Sequence, residues 1–181
     1  MPPQIVTGTD ADDQIDKLFP GRTANPIDED IDGRAGNDTI FGYEGRDRIL
    51  GGLGNDWINA GGNDDSAFGD EGNDTVDGDS GNDRIAGDGE DVSSQDSIYG
   101  GVDELAGGSG NDEIAGDEFA AFSSHHSVVG GNDTIDGGNG NDRIAGDQFS
   151  ADSGYGDIDV GYTGEDIIGG DDRIKADMAT T

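Results

Sequence analysis

The stretch "GRAGNDTIF GYEGRDRIL GGLGNDWIN", Gly33 to Asn59, decides how this chain folds, yet it offers almost nothing to an ordinary core. It divides into units of nine residues, and three more follow in the same frame: "AGGNDDSAF", "GDEGNDTVD" and "GDSGNDRIA". The sixth place is aspartate in every unit, at Asp38, Asp47, Asp56, Asp65, Asp74 and Asp83. The eighth is aliphatic, at Ile40, Ile49, Ile58, Ala67, Val76 and Ile85.

A short fixed period marks a solenoid, in which each unit is one structural step that stacks on its neighbours. Places seven to nine are expected to form a strand. Side chains alternate along a strand, so place eight faces inward while places seven and nine face water. Places one to six form the turn, where glycine supplies positive backbone angles and the recurrent asparagine at place five is expected to tolerate them. Two such half-turns make one flattened coil.

The composition shows what the stack lacks. Only 30% of the 181 residues are hydrophobic, 35 are glycine, and the formal charge is -33. Such a chain is expected to be disordered, because ordering each residue costs about 1 to 2 kcal/mol of backbone entropy and little apolar surface is available to offset it. There are no cysteines, which excludes disulfides and thiolate metal sites. With 42 acidic residues against 9 basic ones, the surface repels nucleic acid and anionic membranes and attracts cations. No apolar run approaches the roughly 18 residues of a membrane span.

The aspartates are the main obstacle to stacking. Coils in a parallel stack lie about 4.8 Å apart, so equivalent carboxylates approach to about 5 Å and repel by roughly 3 kcal/mol per pair at an effective dielectric near 20. A hard divalent cation held by carboxylate and turn carbonyl oxygens reverses that sign. Ca2+ suits the task because it accepts six to eight oxygens in flexible geometry.

The units resemble the glycine- and aspartate-rich nonapeptide of the RTX (repeats-in-toxin) family, GGxGxDx-aliphatic-x. The resemblance implies an all-β fold, a right-handed parallel β-roll (β-solenoid) with calcium ions in the turns. It implies ligation by the place-six aspartates and by main-chain carbonyls of the glycine-rich segments, which include Gly36, Gly45, Gly54, Gly72 and Gly81. It also implies an extracellular protein secreted by a type I system. That agrees with the opening "MPPQIVTGTDADDQID", which has neither the basic start nor the apolar stretch of a signal peptide. Ala60 and Asn63 depart from the pattern, and Asp64 competes with Asp65 for the ligand position.

After Ile85 the frame of nines fails, but "GNDRIAGD" recurs as "GNDEIAGD", "GNDRIAGD" and "GDDRIKAD", with further Asp-x-aliphatic steps between. This adds Asp103, Asp112, Asp133, Asp142, Asp166 and Asp172, with Gly110 and Gly140 in the turns. Alternate assignment places Asp38, Asp56, Asp74, Asp103, Asp133 and Asp166 on one edge of the stack. Asp47, Asp65, Asp83, Asp112, Asp142 and Asp172 fall on the other, and adjacent pairs then offer sites for up to about ten ions. The surplus residues, "GEDVSSQDSIY", "EFAAFSSHHSVV" and "QFSADSGYGDIDVGYT", all enter turns of the first edge.

The chain thus divides into a partial repeat and cap (1–32), six regular units (33–86), three longer coils with insertions (87–175) and a tail (176–181). Arg48, Arg84, Arg143 and Arg173 follow same-edge aspartates and form a charge-balancing row on one face. The aromatic-rich insertions either pack on one another or present a glycan or cell-surface ligand site, and Asp88, Asp117 and Asp147 at their mouths either add ligands or face solvent. No HExxH, GxSxG or phosphate-binding GxxxxGK[ST] motif is present, and His125 and His126 sit together inside one insertion. The expected function is therefore a non-enzymatic calcium-binding module that folds outside the cell. An adhesin-like binder and an ice-binding protein are the alternatives; the row Thr39, Trp57, Thr75, Glu104, Thr134 and Ile167 interrupts the regular threonines that ice requires. The pattern fixes no oligomeric state.

Overall fold

The computed structural model describes residues 3–16, 27–89, 98–99, 101–116, 128–129, 133–140, 142–146 and 173–178. Its strands run in chain order from β1 (Gln4–Thr7), β2 (Gln14–Ile15), β3 (Glu29–Asp32), β4 (Thr39–Phe41), β5 (Arg48–Leu53) and β6 (Trp57–Gly62). They continue with β7 (Ser66–Glu71), β8 (Thr75–Ser80), β9 (Arg84–Ala86), β10 (Ile98–Tyr99) and β11 (Glu104–Ala106). The last are β12 (Glu113–Ala115), β13 (Val128–Val129), β14 (Thr134–Gly140), β15 (Arg143–Ala145) and β16 (Arg173–Met178). No helix occurs among the described residues, and so none that is long and apolar enough to cross a membrane.

Successive strands alternate between two parallel sheets. The first has the order β1-β3-β5-β7-β9-β12-β15 and the second β16-β14-β11-β8-β6-β4-β2, each of seven strands. This is a parallel β-roll. Its register is that of the nonapeptide: Ile40 pairs with Ile58, Ile58 with Val76, and Val76 with Leu105 in the second sheet. In the first, Ile31 pairs with Ile49, Ile49 with Ala67, Ala67 with Ile85, and Ile85 with Ile114. These place-eight side chains meet between the sheets as one buried column, running from Ile15 and Ile31 to Ile135 and Ile144. A single aliphatic residue per half-turn suffices because every one of them is buried by its neighbours above and below.

The edges of the roll differ. Turns from the first sheet to the second carry Asp38, Asp56 and Asp74, and the connections from β9 to β11, β12 to β14 and β15 to β16 run between the sheets in the same direction. Two of those connections contribute β10 and β13, which pair in parallel through Ile98 with Val128 and Tyr99 with Val129. The first two insertions are thus paired at these two positions, and the rest of each lies outside the described residues. From β4 onward the turns from the second sheet to the first, β4 to β5, β6 to β7, β8 to β9, β11 to β12 and β14 to β15, are short, whereas the connection from β2 to β3, residues 16–28, is longer.

The C-terminal strand corrects the alternation. Arg173 pairs with Thr134 and Ile174 with Ile135, so β16 extends the second sheet next to β14. Asp172 therefore precedes a strand on the Asp133 side of the roll, not on the Asp142 side, and Arg173 is not in the row of Arg48, Arg84 and Arg143. A return step from Asp166 to Asp172 is too short for a nine-residue half-turn. Asp166 and Asp172 themselves lie outside the described residues, as do His125, His126, Asp117, Asp147 and Ile167.

Place nine brings a second correction. In the first sheet Phe68, Ala86, Ala115 and Ala145 are fully buried on the outer face, with Leu50 packed against them. Arg84 also lays its guanidinium over the Phe68 ring, 5.8 Å from its centroid. In the second sheet the same place holds Phe41, Asn59, Asp77, Ala106 and Asp136 and is only half-buried. The first sheet thus has two apolar faces, and alternation alone does not distinguish it from a sheet with one. Beside this stripe runs the place-seven row, where Arg48 pairs with Asp30 at 3.5 Å, and Glu113 pairs with Arg143 and, at 4.0 Å, with Arg84.

Candidate metal centre

The turns are built on positive backbone angles at places two and four. Place four is Gly36, Gly45, Gly54, Gly72, Gly81 and Gly110, at φ between +126° and +155°, with Asn63 at +83° in the departing unit. Place two is also positive, even where it is Arg34, Tyr43, Asp70 or Asp79. The asparagine of place five has a different role from the one expected. Asn55 Oδ1 accepts the Asn73 main-chain N–H at 2.9 Å, Asn37 Oδ1 accepts that of Asn55 at 2.8 Å, and Asn82 Oδ1 that of Asn111 at 2.9 Å. Asparagine is there to link coils. Place five itself is not among the positive-φ positions.

The place-six aspartates form the opposite ladder. On one edge the main-chain N–H of Asp13 donates to Asp38 Oδ1, that of Asp38 to Asp56, of Asp56 to Asp74, of Asp74 to Asp103 and of Asp103 to Asp133, at 2.7 to 3.0 Å. On the other, Glu29 donates to Asp47, Asp47 to Asp65, Asp65 to Asp83, Asp83 to Asp112 and Asp112 to Asp142, at 2.8 to 3.1 Å. Asp65, not Asp64, occupies the ladder. Asp64 turns outward to Arg46 at 2.8 Å and to the Asn82 N–H, which holds its carboxyl below the usual carboxylate range.

Each ladder carboxylate therefore has one oxygen engaged. The other, Oδ2, is buried and meets no hydrogen-bond donor at Asp38, Asp56, Asp65, Asp74, Asp83, Asp112 and Asp142. A buried acceptor left unmade costs about 1 to 3 kcal/mol, more when charged, so a column of them needs a compensating cation or proton. Burial is the leading cause that raises the carboxyl of Asp56 to about 6, Asp83 to about 7, and Asp65 and Asp74 to about 8. The flanking ladder carboxylates push the same way, and the engaged N–H groups oppose them.

Main-chain oxygens converge on the same points. A Cβ built on Gly78, at place one, would stand 2.7 Å from Asp83 Oδ2 and 2.7 Å from the carbonyl oxygen of Gly107 in the next coil. One built on Gly107 would stand 2.5 Å from Asp112 Oδ2 and 2.6 Å from the Gly137 carbonyl. Glycine at place one thus keeps open a cradle lined by the carboxylate that follows in its own turn and by a carbonyl of the next coil. Among the described residues no three carboxylate or imidazole side chains gather round one point, so a cation here must take much of its shell from the main chain. An all-oxygen, part-carbonyl donor set suits Ca2+ and excludes metals that seek sulfur or nitrogen.

Two members of this array escaped the sequence pattern. Glu29 holds place six and Ile31 place eight of a unit directly before Gly33, which the frame reaches by stepping back nine residues from Asp38 and Ile40. Its turn lacks glycine and its acid is glutamate, which conceals it. Gly101 extends the place-four glycines, two residues before Asp103 as Gly72 is before Asp74. At the N-terminal end the ladder is closed: Asp13 Oδ2 accepts the Thr9 N–H at 2.5 Å and the Thr9 hydroxyl at 2.8 Å.

No curated protein and no solved structure matches the chain. The model of the RTX calcium-binding nonapeptide repeat, which spans four copies, matches residues 23–58, 51–85, 59–92, 98–118 and 130–150, well over half of the sequence. Those segments contain the ladder aspartates from Asp38 to Asp142, whose buried oxygens and glycine-lined cradles suit a hard cation, and the chain belongs to the RTX calcium-binding nonapeptide repeat family.

Proposed function

We propose that this chain is a calcium-folded structural module. The observation that supports it best is the buried, donor-free Oδ2 of Asp38, Asp56 and Asp74 on one edge and of Asp65, Asp83, Asp112 and Asp142 on the other, because the fold stacks buried carboxylates whose second oxygen meets no donor among the described residues. A bound Ca2+ supplies that positive charge and accepts six to eight oxygens. Asp38, Asp47, Asp56, Asp65, Asp74, Asp83, Asp103, Asp112, Asp133 and Asp142 present carboxylates, with Gly36, Gly45, Gly54, Gly72, Gly81, Gly110 and Gly140 in the carbonyl-bearing turns beside them. Asp172 would extend the set past Asp133.

Binding to a site that exists only in the folded state drives folding by mass action. Affinities of about 0.1 to 1 mM per site, usual for extracellular modules, would leave the chain unfolded in the cytosol and fold it outside. RTX repeat proteins are typically secreted, and a type I route fits a chain that must stay unfolded until it leaves the cell. The carboxylates lie in equivalent, repeated positions, whereas catalysis needs a unique convergent set, so we assign no reaction to the roll.

Far-UV circular dichroism during calcium titration tests the proposal. At pH 8, strand signal should be absent in excess chelator and appear cooperatively with calcium, while magnesium at the same concentration should fail. Native strand signal that persists in chelator at pH 8 would sink it.

A further inference from the structure

The outer face of the second sheet changes character along the roll. Thr39, Phe41, Trp57, Asn59 and Thr75 are uncharged neighbours on β4, β6 and β8, between Asp16 after β2 and Asp77 on β8, whereas farther along Glu104 and Asp136 put one acid on each of β11 and β14 beside Ala106 and Thr134. In a chain with 42 acidic residues this gap is unusual. Three aromatic rings occupy it. Phe41 stacks on Tyr43 with ring centroids 5.8 Å apart and planes 22° from parallel, and it meets Trp57 at 5.1 Å and 59°. Trp57 stays 38% exposed and Tyr43 37%.

Tyr43 is held there against its backbone preference. Its φ is +70°, at the place where the turns of the same edge use Gly61, Gly108, Gly138 and the much smaller Asp79. A bulky residue in that region is an outlier that points to a role for its side chain. The ring is fixed at its far end by its hydroxyl, which donates to Asp16 Oδ1 at 2.7 Å.

We propose that Phe41, Tyr43 and Trp57 form a platform for a neutral saccharide. An aromatic surface offers its faces to the C–H groups of a sugar ring, and Thr39, Asn59 and Thr75 beside it offer hydroxyl and amide groups to sugar hydroxyls. The charge pattern selects the ligand class: the surrounding carboxylates repel anionic glycans, nucleic acid and anionic lipid. A cationic partner would be drawn to the acidic rest of the molecule and not to this uncharged patch. The platform is built from β4, β6 and the turn that follows β4, and needs calcium only insofar as the roll must be folded.

The full chain in saturating calcium is screened on an array of neutral hexose, pentose and N-acetylhexosamine oligosaccharides. Emission of Trp57, the sole tryptophan, is then followed on titration with cellohexaose, maltoheptaose or the strongest array sugar. A saturable change in emission is expected. Tyr43→Gly, which suits the turn, and Phe41→Ala should each weaken binding at least tenfold while circular dichroism and the calcium midpoint stay within twofold of the parent. Binding that survives both variants, the failure of every neutral sugar, or a response to polylysine alone would overturn the proposal.

Discussion

The main-chain N–H of Asp38 donates to Asp56 Oδ1 at 2.7 Å, across 18 residues of sequence, while Asp56 Oδ2 lies buried without a donor. One carboxylate thus does two things: it registers the coil below and it presents a charge to the cradle. The two roles can be separated by mutation.

Asp56→Asn keeps an oxygen that can accept from Asp38 and removes the charge. The calcium midpoint should rise several-fold with the strand content at saturating calcium unchanged. Asp56→Ala removes both roles and should also lower the saturated thermal midpoint. If calorimetry and circular dichroism found the two variants alike, the ladder bond would carry no weight.

Gly78→Ala changes no charge. Its methyl group would come within 2.7 Å of both Asp83 Oδ2 and the Gly107 carbonyl, and 3.0 Å of Ile85 Cδ1. Because those neighbours include main chain, they cannot swing aside, and calcium should bind fewer equivalents per chain. Isothermal titration with an undiminished stoichiometry would show that the space beside Gly78 is not part of a site.

Ile58 is fully buried in the column between the sheets. Ile58→Ala should cost about 2 to 4 kcal/mol, since the stacked coils above and below limit collapse into the cavity. Each bound ion adds to the same folding equilibrium, so chemical denaturation should show the loss most strongly near the calcium midpoint and least at saturation.

Acid should stabilise the metal-free roll. Burial raises Asp56 to about 6, Asp83 to about 7, and Asp65 and Asp74 to about 8, so in the folded state these carboxyls keep protons that the unfolded chain has already released near pH 4. Stability of the metal-free fold is therefore greatest at low pH and falls as pH rises through 6 to 8. In chelator, strand signal should be greater at pH 5.5 than at pH 8, and the calcium midpoint should rise as pH drops from 8 to 6 because protons compete for the same oxygens. A metal-free chain more ordered at pH 8 than at pH 5.5 would contradict this.

By itself the sequence determined the period, the columns of Asp38 to Asp83 and Ile40 to Ile85, and the calcium-binding family to which the repeat belongs. All of these follow from a local repeat in which equivalent residues must stack. Tertiary structure alone decided how the stack is bonded. Asn55 links coils through its amide, Asp56 divides its two oxygens between a neighbour's N–H and the cradle, and Glu29 takes a place that its unglycinated turn concealed. It also decided that Phe68, Ala86, Ala115 and Ala145 are buried on an outer face, and that Arg173 pairs with Thr134. These contacts join residues that lie at least one coil apart in sequence, and the interrupted spacing after Ile85 no longer encodes which strand meets which. Only the closed hydrogen-bond register between parallel neighbours does that.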